Sequence, residues 1–134
     1  MLNRLFIVLS VILVISACNI SGKIAHKRQK ISEIILNDIA RNKFSDSFKV
    51  NFNKTGEFAM VLKREKIFPK SIPDLKYFVF SMKAKSIVIE DSLKAGNVYW
   101  EDDYLLKAFE REQKAESPIS GYSFDVKNKV YIFN

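Results

Sequence analysis

The stretch FKVNFNKTGEFAMVL, residues 48–62, decides the fold class of this chain. Large apolar residues alternate with polar or small ones on both sides of a central polar segment, at positions Phe48, Val50, Phe52, Phe58, Met60 and Leu62. This period of two is typical of strands that cover a core with one face. The central segment, residues 53–56, has turn chemistry, and Gly56 stands where a positive φ is needed. The stretch therefore predicts an antiparallel hairpin.

Segments with a similar signature follow toward the C-terminus, separated by short polar turns; they are residues 77–82, 87–89, 98–100, 104–109, 122–126 and 130–133. Successive hairpins of this kind predict an antiparallel meander. Residues 66–75 contain two prolines, so we expect a connection there and not a central strand. A helix over residues 104–116 is the alternative, because LLKAFEREQKAE contains strong helix formers. A strand that ends near Phe109 is the favoured interpretation.

One amphipathic helix is expected before the first strand, from Ile24 to about Lys43. Its apolar residues recur with the spacing of one helical face, at Ile31, Ile34, Ile35, Ile39 and, less regularly, Ile24. Packing of this stripe on the sheet is favoured over binding to lipid. The predicted fold class is therefore α+β, with an N-terminal amphipathic helix packed on an antiparallel β-meander of about 6–8 short strands.

The beginning of the chain has the residue order of a secretory signal. A short segment with one cationic side chain, Met1–Arg4, precedes an apolar run from Leu5 to Ile15 and the small residues Ser16 and Ala17. At about 11 residues, this run is well below the roughly 20 that a helix needs to cross a bilayer. A cleaved signal is therefore favoured over an uncleaved membrane helix.

The one cysteine of the chain, Cys18, directly follows those two small residues. The tetrapeptide Ile15-Ser16-Ala17-Cys18 resembles the lipobox of bacterial lipoproteins, although Ile15 stands where leucine is commonest. The resemblance implies that the Cys18 sulfur receives a diacylglyceryl group, that cleavage occurs before Cys18 and that the freed amine is acylated. Two or three acyl chains hold a protein on a bilayer far more firmly than one. A soluble secreted protein with an incidental cysteine is the alternative.

The lipobox resemblance implies a domain organisation and a location. Residues 1–17 would form a lipoprotein signal peptide, residues 18–23 a lipidated tether and residues 24–134 a single α+β domain. By analogy with lipoprotein sorting in other bacteria, Asn19 in place of Asp favours the outer membrane, with the domain facing the periplasm. The stretches YFVFSMKAKSIVIEDS and YSFDVKNKVYIF also resemble hairpins of small, largely uncharacterised envelope lipoproteins, and this resemblance implies no activity.

The net charge is +7, and removal of Arg4 with the signal leaves about +6. Much of the excess lies in residues 23–43, close to the expected lipid. Anionic headgroups attract such a segment by about 1 kcal/mol per cation, but an ordinary solvated basic face is the commoner explanation. Nucleic acid is not an expected partner, because no recognition motif is present. The expected partners are the lipid bilayer, through acylated Cys18, and an envelope protein.

Few residues offer catalytic chemistry. His26 is the only histidine, and it lies among lysines and arginines next to the expected tether, so a Ser-His-Asp triad is disfavoured. A zinc site would lack its usual His and Cys ligands. The acidic clusters at residues 90–91 and 101–103 match no EF-hand spacing and are typical of solvated turns. We therefore expect no enzymatic activity, no metal and no cofactor.

Aromatic residues are the best candidates for a binding surface. They are Tyr77, Tyr99, Trp100, Tyr104 and Tyr122. Tyr and Trp bury a large area while keeping a polar tip, which suits an interface. Alternate positions on a strand point to opposite faces, so some of these residues are expected in the core. The predicted role is a non-enzymatic binding or accessory module, and the alternative is a periplasmic immunity protein that neutralises a toxin.

Overall fold

The structure is a computed structural model that describes residues 27–65, 73–110 and 120–133. The expected signal, the expected lipidation site Cys18 and His26 lie outside these residues. The chain divides into two compact units, Met1–Ile34 and Ile35–Asn134. In the first unit the described residues, 27–34, are helical; the second unit contains the rest of that helix and eight strands among its described residues.

The helix, α1, lies at residues 27–44 and not at the N-terminus of the chain. It ends where Ser45 adopts a positive φ of 59° and its N–H donates to the Arg41 carbonyl at 2.8 Å. The Lys63 ammonium group donates to the Phe44 carbonyl at 3.0 Å, so a cation stands at the negative end of the helix dipole.

The buried face of α1 differs from the predicted stripe. Leu36, Ala40 and Phe44 are buried at successive i, i+4 positions, whereas Ile31 and Ile34 are exposed. At 100° per residue, these two isoleucines lie roughly 140 to 160° around the helix from Leu36. The prediction that all the isoleucines share the core face was therefore wrong, because Ala40 and Phe44 define that face as much as the larger aliphatic residues do.

The strands within the described residues are β1 (Lys49–Phe52), β2 (Phe58–Glu65), β3 (Asp74–Ser81), β4 (Ser86–Leu93), β5 (Asn97–Trp100), β6 (Leu105–Phe109), β7 (Gly121–Asp125) and β8 (Val130–Phe133). They form two antiparallel four-stranded sheets, a first sheet in the order β1-β2-β3-β4 and a second in the order β5-β6-β7-β8. The α+β class and the number of strands agree with the sequence prediction. The strands form two meanders, whereas one was expected.

The quoted stretch forms the predicted hairpin of β1 and β2. Asn51 lies opposite Met60 and Val50 lies opposite Val61, so the alternating apolar residues of β1 face α1 whereas Met60 faces the second sheet. Gly56 has a φ of 71°, and its N–H donates to the Asn53 carbonyl at 3.0 Å. The predicted left-handed turn at Gly56 is confirmed.

One strand boundary agrees with the sequence prediction and one differs from it. β6 ends at Phe109, which confirms the favoured strand over a helix for residues 105–109. β3 begins at Asp74, so the expected connection over residues 66–75 extends too far. Leu75 is fully buried between the sheets, and this burial outweighs the nearby proline as a determinant of local structure.

The first sheet is covered on both faces. On one face, Ala59, Val61, Phe78 and Phe80 pack with Leu36, Ala40 and Phe44 of α1. The other face packs against the second sheet. That second core comprises Met60, Leu75, Tyr77, Val79, Ile89 and Leu93 from the first sheet with Val98, Leu106, Ala108, Phe124 and Val126 from the second half of the chain.

The chain passes from one sheet to the other between β4 and β5. At Gly96 a Cβ atom would lie 2.6 Å from the Phe109 carbonyl oxygen and 2.6 Å from the Leu93 Cβ. Only a residue without a side chain permits this close approach. The turn that the sequence indicated after β4 is therefore the junction between the two sheets.

Candidate functional site

Four of the five predicted aromatic residues lie at two places between the sheets, and the fifth, Tyr99, lies on the outer face of β5. Trp100 and Tyr104 lie at the end near the β1–β2 turn, where Trp100 Nε1 donates to the Asn51 carbonyl at 3.3 Å. The Tyr104 hydroxyl donates to the Glu57 carboxylate at 2.5 Å. This hydrogen bond lowers the pKa of Glu57 and raises the pKa of Tyr104. Both aromatic side chains therefore connect the two sheets.

Asn53 completes the contacts at this end. Its side chain is buried, accepts a hydrogen bond from the Phe58 N–H at 3.0 Å and donates to the Asp103 carbonyl at 2.7 Å. A buried amide with partners of this kind stabilises one arrangement of the loops around it. We call this side of the sandwich the closed end.

Tyr77 and Tyr122 lie at the second place. Tyr77 on β3 is fully buried, and its hydroxyl hydrogen-bonds to the hydroxyl of Tyr122 on β7. Tyr122 in turn donates to Asp91 Oδ2 on β4 at 2.5 Å. Burial raises the pKa of both tyrosines above the ordinary value of 10.0, and the bond to Asp91 raises that of Tyr122 further. At physiological pH both hydroxyls are therefore neutral.

These hydrogen bonds show how the two sheets overlap. Tyr122 on β7 reaches across to β3 and β4, and β4 is the edge strand of the first sheet. β8 is hydrogen-bonded to the side of β7 that faces away from β6, so it is an edge strand of the second sheet. All four of its residues are exposed.

β8 is an exposed apolar edge strand. Its four residues, Val130, Tyr131, Ile132 and Phe133, are exposed by 45–77%. Tyr131 lies opposite Phe124 and Phe133 lies opposite Tyr122, so these two aromatic side chains share the inner face. Val130 and Ile132 occupy the outer face. Both faces of this edge are thus apolar.

The inner-face aromatic residues form a continuous ladder from the core to the solvent. The ring of Tyr131 lies 4.7 Å from that of buried Phe124 and 5.4 Å from that of Tyr122. Phe133 stacks on Tyr131 with ring centroids 6.0 Å apart. The ladder therefore connects core residues with Phe133, which is the most exposed residue of β8.

The β7–β8 turn holds β8 in this position. The Asp125 carboxylate accepts the N–H groups of Asn128 and Lys127, both at 2.9 Å, and the Asn128 side-chain amide at 2.8 Å. These hydrogen bonds lower the pKa of Asp125, with the Asn128 backbone making the largest contribution. Lys129 adopts a φ of 58° at the last turn position.

A groove of about 370 Å³ lies at the Phe133 end of β8. Its lining combines Phe133 and Tyr122 with the carboxylate-bearing residues Asp91 and Glu110. The Glu110 carboxylate accepts the Lys94 N–H at 2.9 Å. The groove therefore offers an aromatic wall and negative charge next to a strand that, within the described part of the chain, pairs only with β7. We take β8 and this groove as the candidate functional site.

The acidic clusters lie apart from one another and pair with different groups. Glu90 forms an ion pair with Lys43 at 2.8 Å, and Glu101 forms one with Lys107 at 3.2 Å. Within residues 27–65, 73–110 and 120–133, no three His, Cys, Asp or Glu side chains are close enough to hold a metal ion.

The sequence indicated Tyr122, which borders the groove, as a binding residue but did not indicate Tyr131 or Phe133. Their only signal in the sequence was an apolar C-terminal strand without a charge. The same pattern is typical of a core strand, so the sequence could not indicate exposure. Tyr99 is exposed on the outer face of β5, with its ring 6.3 Å from that of Phe109.

No helix in the described part of the chain has the length and apolar character needed to cross a membrane. No protein-family model, curated protein or solved structure matches the chain.

Proposed function

We propose that this chain is an envelope lipoprotein whose folded domain is a non-enzymatic binding module. In this proposal acylated Cys18 holds the domain on the outer membrane, facing the periplasm, and β8 recognises a protein partner. The exposed apolar edge of β8 carries the proposal for binding. The lipobox resemblance at residues 15–18 supports the proposal for the anchor.

The edge of β8 is unusual for a free sheet edge. Natural proteins blunt such edges with charged side chains, proline or bulges, because unpaired N–H and C=O groups recruit other strands. Residues 130–133 contain neither a charge nor a proline, and their pairing with β7 is regular. An edge of this kind is suited to strand addition, in which main-chain hydrogen bonds supply affinity and side-chain contacts supply specificity.

The side chains around β8 favour specific recognition of a partner over non-specific hydrophobic association. Tyr131 packs against the rings of Phe124 and Tyr122, which reduces the freedom that it loses when a partner binds. Rigid aromatic residues next to a groove are typical anchors of protein interfaces. The carboxylates of Asp91 and Glu110 add a requirement for positive charge in the partner.

Site-specific photocrosslinking in intact cells tests the binding proposal. A photoreactive residue at position 132, on β8, should give a covalent protein adduct on illumination. The matched control is position 52 on β1, an edge strand of the other sheet, where Phe52 has nearly the same exposure, 46% against 45% for Ile132. Absence of an adduct at position 132, or equal adducts at both positions, would contradict the proposal.

Metabolic labelling tests the anchor separately. A fatty-acid analogue should label the full-length chain, and Cys18→Ala should abolish the label, because the resemblance assigns the diacylglyceryl group to that sulfur. A matched Ser16→Ala variant keeps a small residue before the cysteine and should retain the label. Label that persists in Cys18→Ala would show that the anchor assignment is wrong.

A further inference from the structure

We propose that the partner of β8 is β8 of a second copy of this chain, paired antiparallel about a two-fold axis. This inference rests on the proposed function, because it names the occupant of the same strand edge. Such an interface is isologous, so one surface must complement itself. Three properties of β8 meet that requirement.

The first property is the match of its two faces. Residues directly opposite each other in an antiparallel pair lie on the same face. Tyr131 and Phe133 point to the inner face, and Val130 and Ile132 point to the outer face. A register with Ile132 opposite the partner's Ile132 places Tyr131 opposite the partner's Phe133. The aromatic ladder then continues from one copy into the other.

The second property is the absence of charge along β8. In a two-fold antiparallel pair, a residue near the axis approaches its own counterpart in the other copy, and like charges that face each other destabilise a sheet. Glu90 lies next to the centre of β4, so symmetric pairing of that edge strand is penalised. Residues 130–133 carry no such penalty.

The third property is complementary charge at the two ends of β8. Exposed Lys129 precedes the strand, and the groove with Asp91 and Glu110 lies at its other end. Antiparallel pairing brings the partner's Lys129 to the end where these carboxylates lie. The same attraction occurs twice about the two-fold axis, which favours antiparallel over parallel association.

The short length of β8 limits the expected affinity between two copies of the chain. Four residues provide few main-chain hydrogen bonds, and a stable interface normally buries about 800 Å² on each partner. We therefore expect association to depend on a raised effective concentration, which a shared membrane surface supplies. The test accordingly uses the full chain in intact cells.

Disulfide trapping tests this inference. In Ile132→Cys, the two substituted residues lie directly opposite each other at the two-fold axis, with Cβ atoms about 4.5–5.5 Å apart before adjustment, near the range that a disulfide accepts. Mild oxidation should give a reducible dimer of twice the chain mass. The unsubstituted chain controls for Cys18, and Phe52→Cys controls for random collision. Equal yields from Ile132→Cys and Phe52→Cys would overturn the inference.

Variants with a charged side chain at position 132 provide a second test. Two differently tagged copies that both carry Ile132→Lys should co-purify at least tenfold less than the unsubstituted pair, because the cations face each other. A copy with Ile132→Lys and a copy with Ile132→Glu should recover co-purification. Loss without recovery in the mixed pair would contradict two-fold pairing at this residue.

Photocrosslinking at position 132 distinguishes failure of this inference from failure of the proposed function. An adduct of twice the chain mass supports both. An adduct with a different protein, together with no disulfide dimer, overturns self-pairing and supports the binding module. No adduct and no dimer overturn both.

Discussion

Tyr122 is the residue on which the arrangement of the two sheets depends most clearly. Its hydroxyl lies between a buried hydroxyl on β3 and a carboxylate on β4, and its ring borders both the core and the groove. Single hydrogen bonds of this kind have a measurable energetic effect, because a buried group that loses its partner is not rehydrated.

Tyr122→Phe should lower the free energy of unfolding by about 1–3 kcal/mol, because it leaves the buried Tyr77 hydroxyl without its partner. Tyr99→Phe is the matched control at an exposed tyrosine and should change stability by less than about 0.5 kcal/mol. Urea denaturation of both variants measures the difference. Equal values for the two variants would show that the hydroxyl of Tyr122 does not stabilise the fold.

Alkaline pH should destabilise the folded chain through the same residues. Burial raises the pKa of Tyr77 and of Tyr122 above the unfolded value near 10.0, so the fold favours their neutral forms. Their contribution is fully present below pH 10 and is lost as the pH rises through the unfolded value toward the folded one, by about 1.4 kcal/mol per pH unit for each group. Urea midpoints between pH 8 and 11 measure this slope, which should be shallower in Tyr122→Phe. Identical slopes would argue against the assigned protonation states.

At the scale of elements, α1 shows how a helix face is selected by packing. The isoleucine-rich spacing in the sequence indicated the helix correctly but misassigned part of its buried face. Leu36, Ala40 and Phe44 form the contact because Phe44 packs against Phe78 with ring centroids 5.6 Å apart. A small residue at position 40 permits close approach to the sheet, which a scale of hydrophobicity does not reveal.

A pair of alanine substitutions in α1 distinguishes the two faces. Leu36→Ala should cost about 2–5 kcal/mol, because the side chain is 2% exposed and its loss leaves a cavity. Ile34→Ala should change stability by less than about 0.5 kcal/mol, since Ile34 is 53% exposed and alanine is the better helix former. Thermal or urea unfolding measures both. A larger loss of stability for Ile34→Ala than for Leu36→Ala would show that Ile34 lies on the buried face, as the sequence predicted.

At the scale of the whole molecule, the unit Ile35–Asn134 has a closed end and an open side. Polar contacts of Asn53, Trp100 and Tyr104 join the two sheets at the closed end. On the open side, β8 is an edge strand of the second sheet, and its apolar residues are exposed. β2 and β3, in contrast, are covered by residues 35–44 on one face and by the second sheet on the other.

Native-state hydrogen exchange should be slower in the covered strands β2 and β3 than in the exposed strand β8. Amides of β2 and β3 should exchange only through global unfolding, whereas those of β8 should exchange through local opening at a much lower free energy. Protection of β8 amides should rise with protein concentration if β8 pairs with a second copy. Exchange in β8 as slow as in β3 at high dilution would contradict an open edge.

The amino-acid sequence by itself determined the hairpins, the presence of one helix before the first strand and the left-handed turn at Gly56, because these features depend on residues a few positions apart. It could not separate one meander from two sheets, since the turn at Gly96 resembles an ordinary hairpin turn. Only the tertiary structure decided which apolar strand stays exposed. That choice follows from contacts such as Tyr77 with Tyr122, whose residues lie 45 positions apart and set how far one sheet overlaps the other.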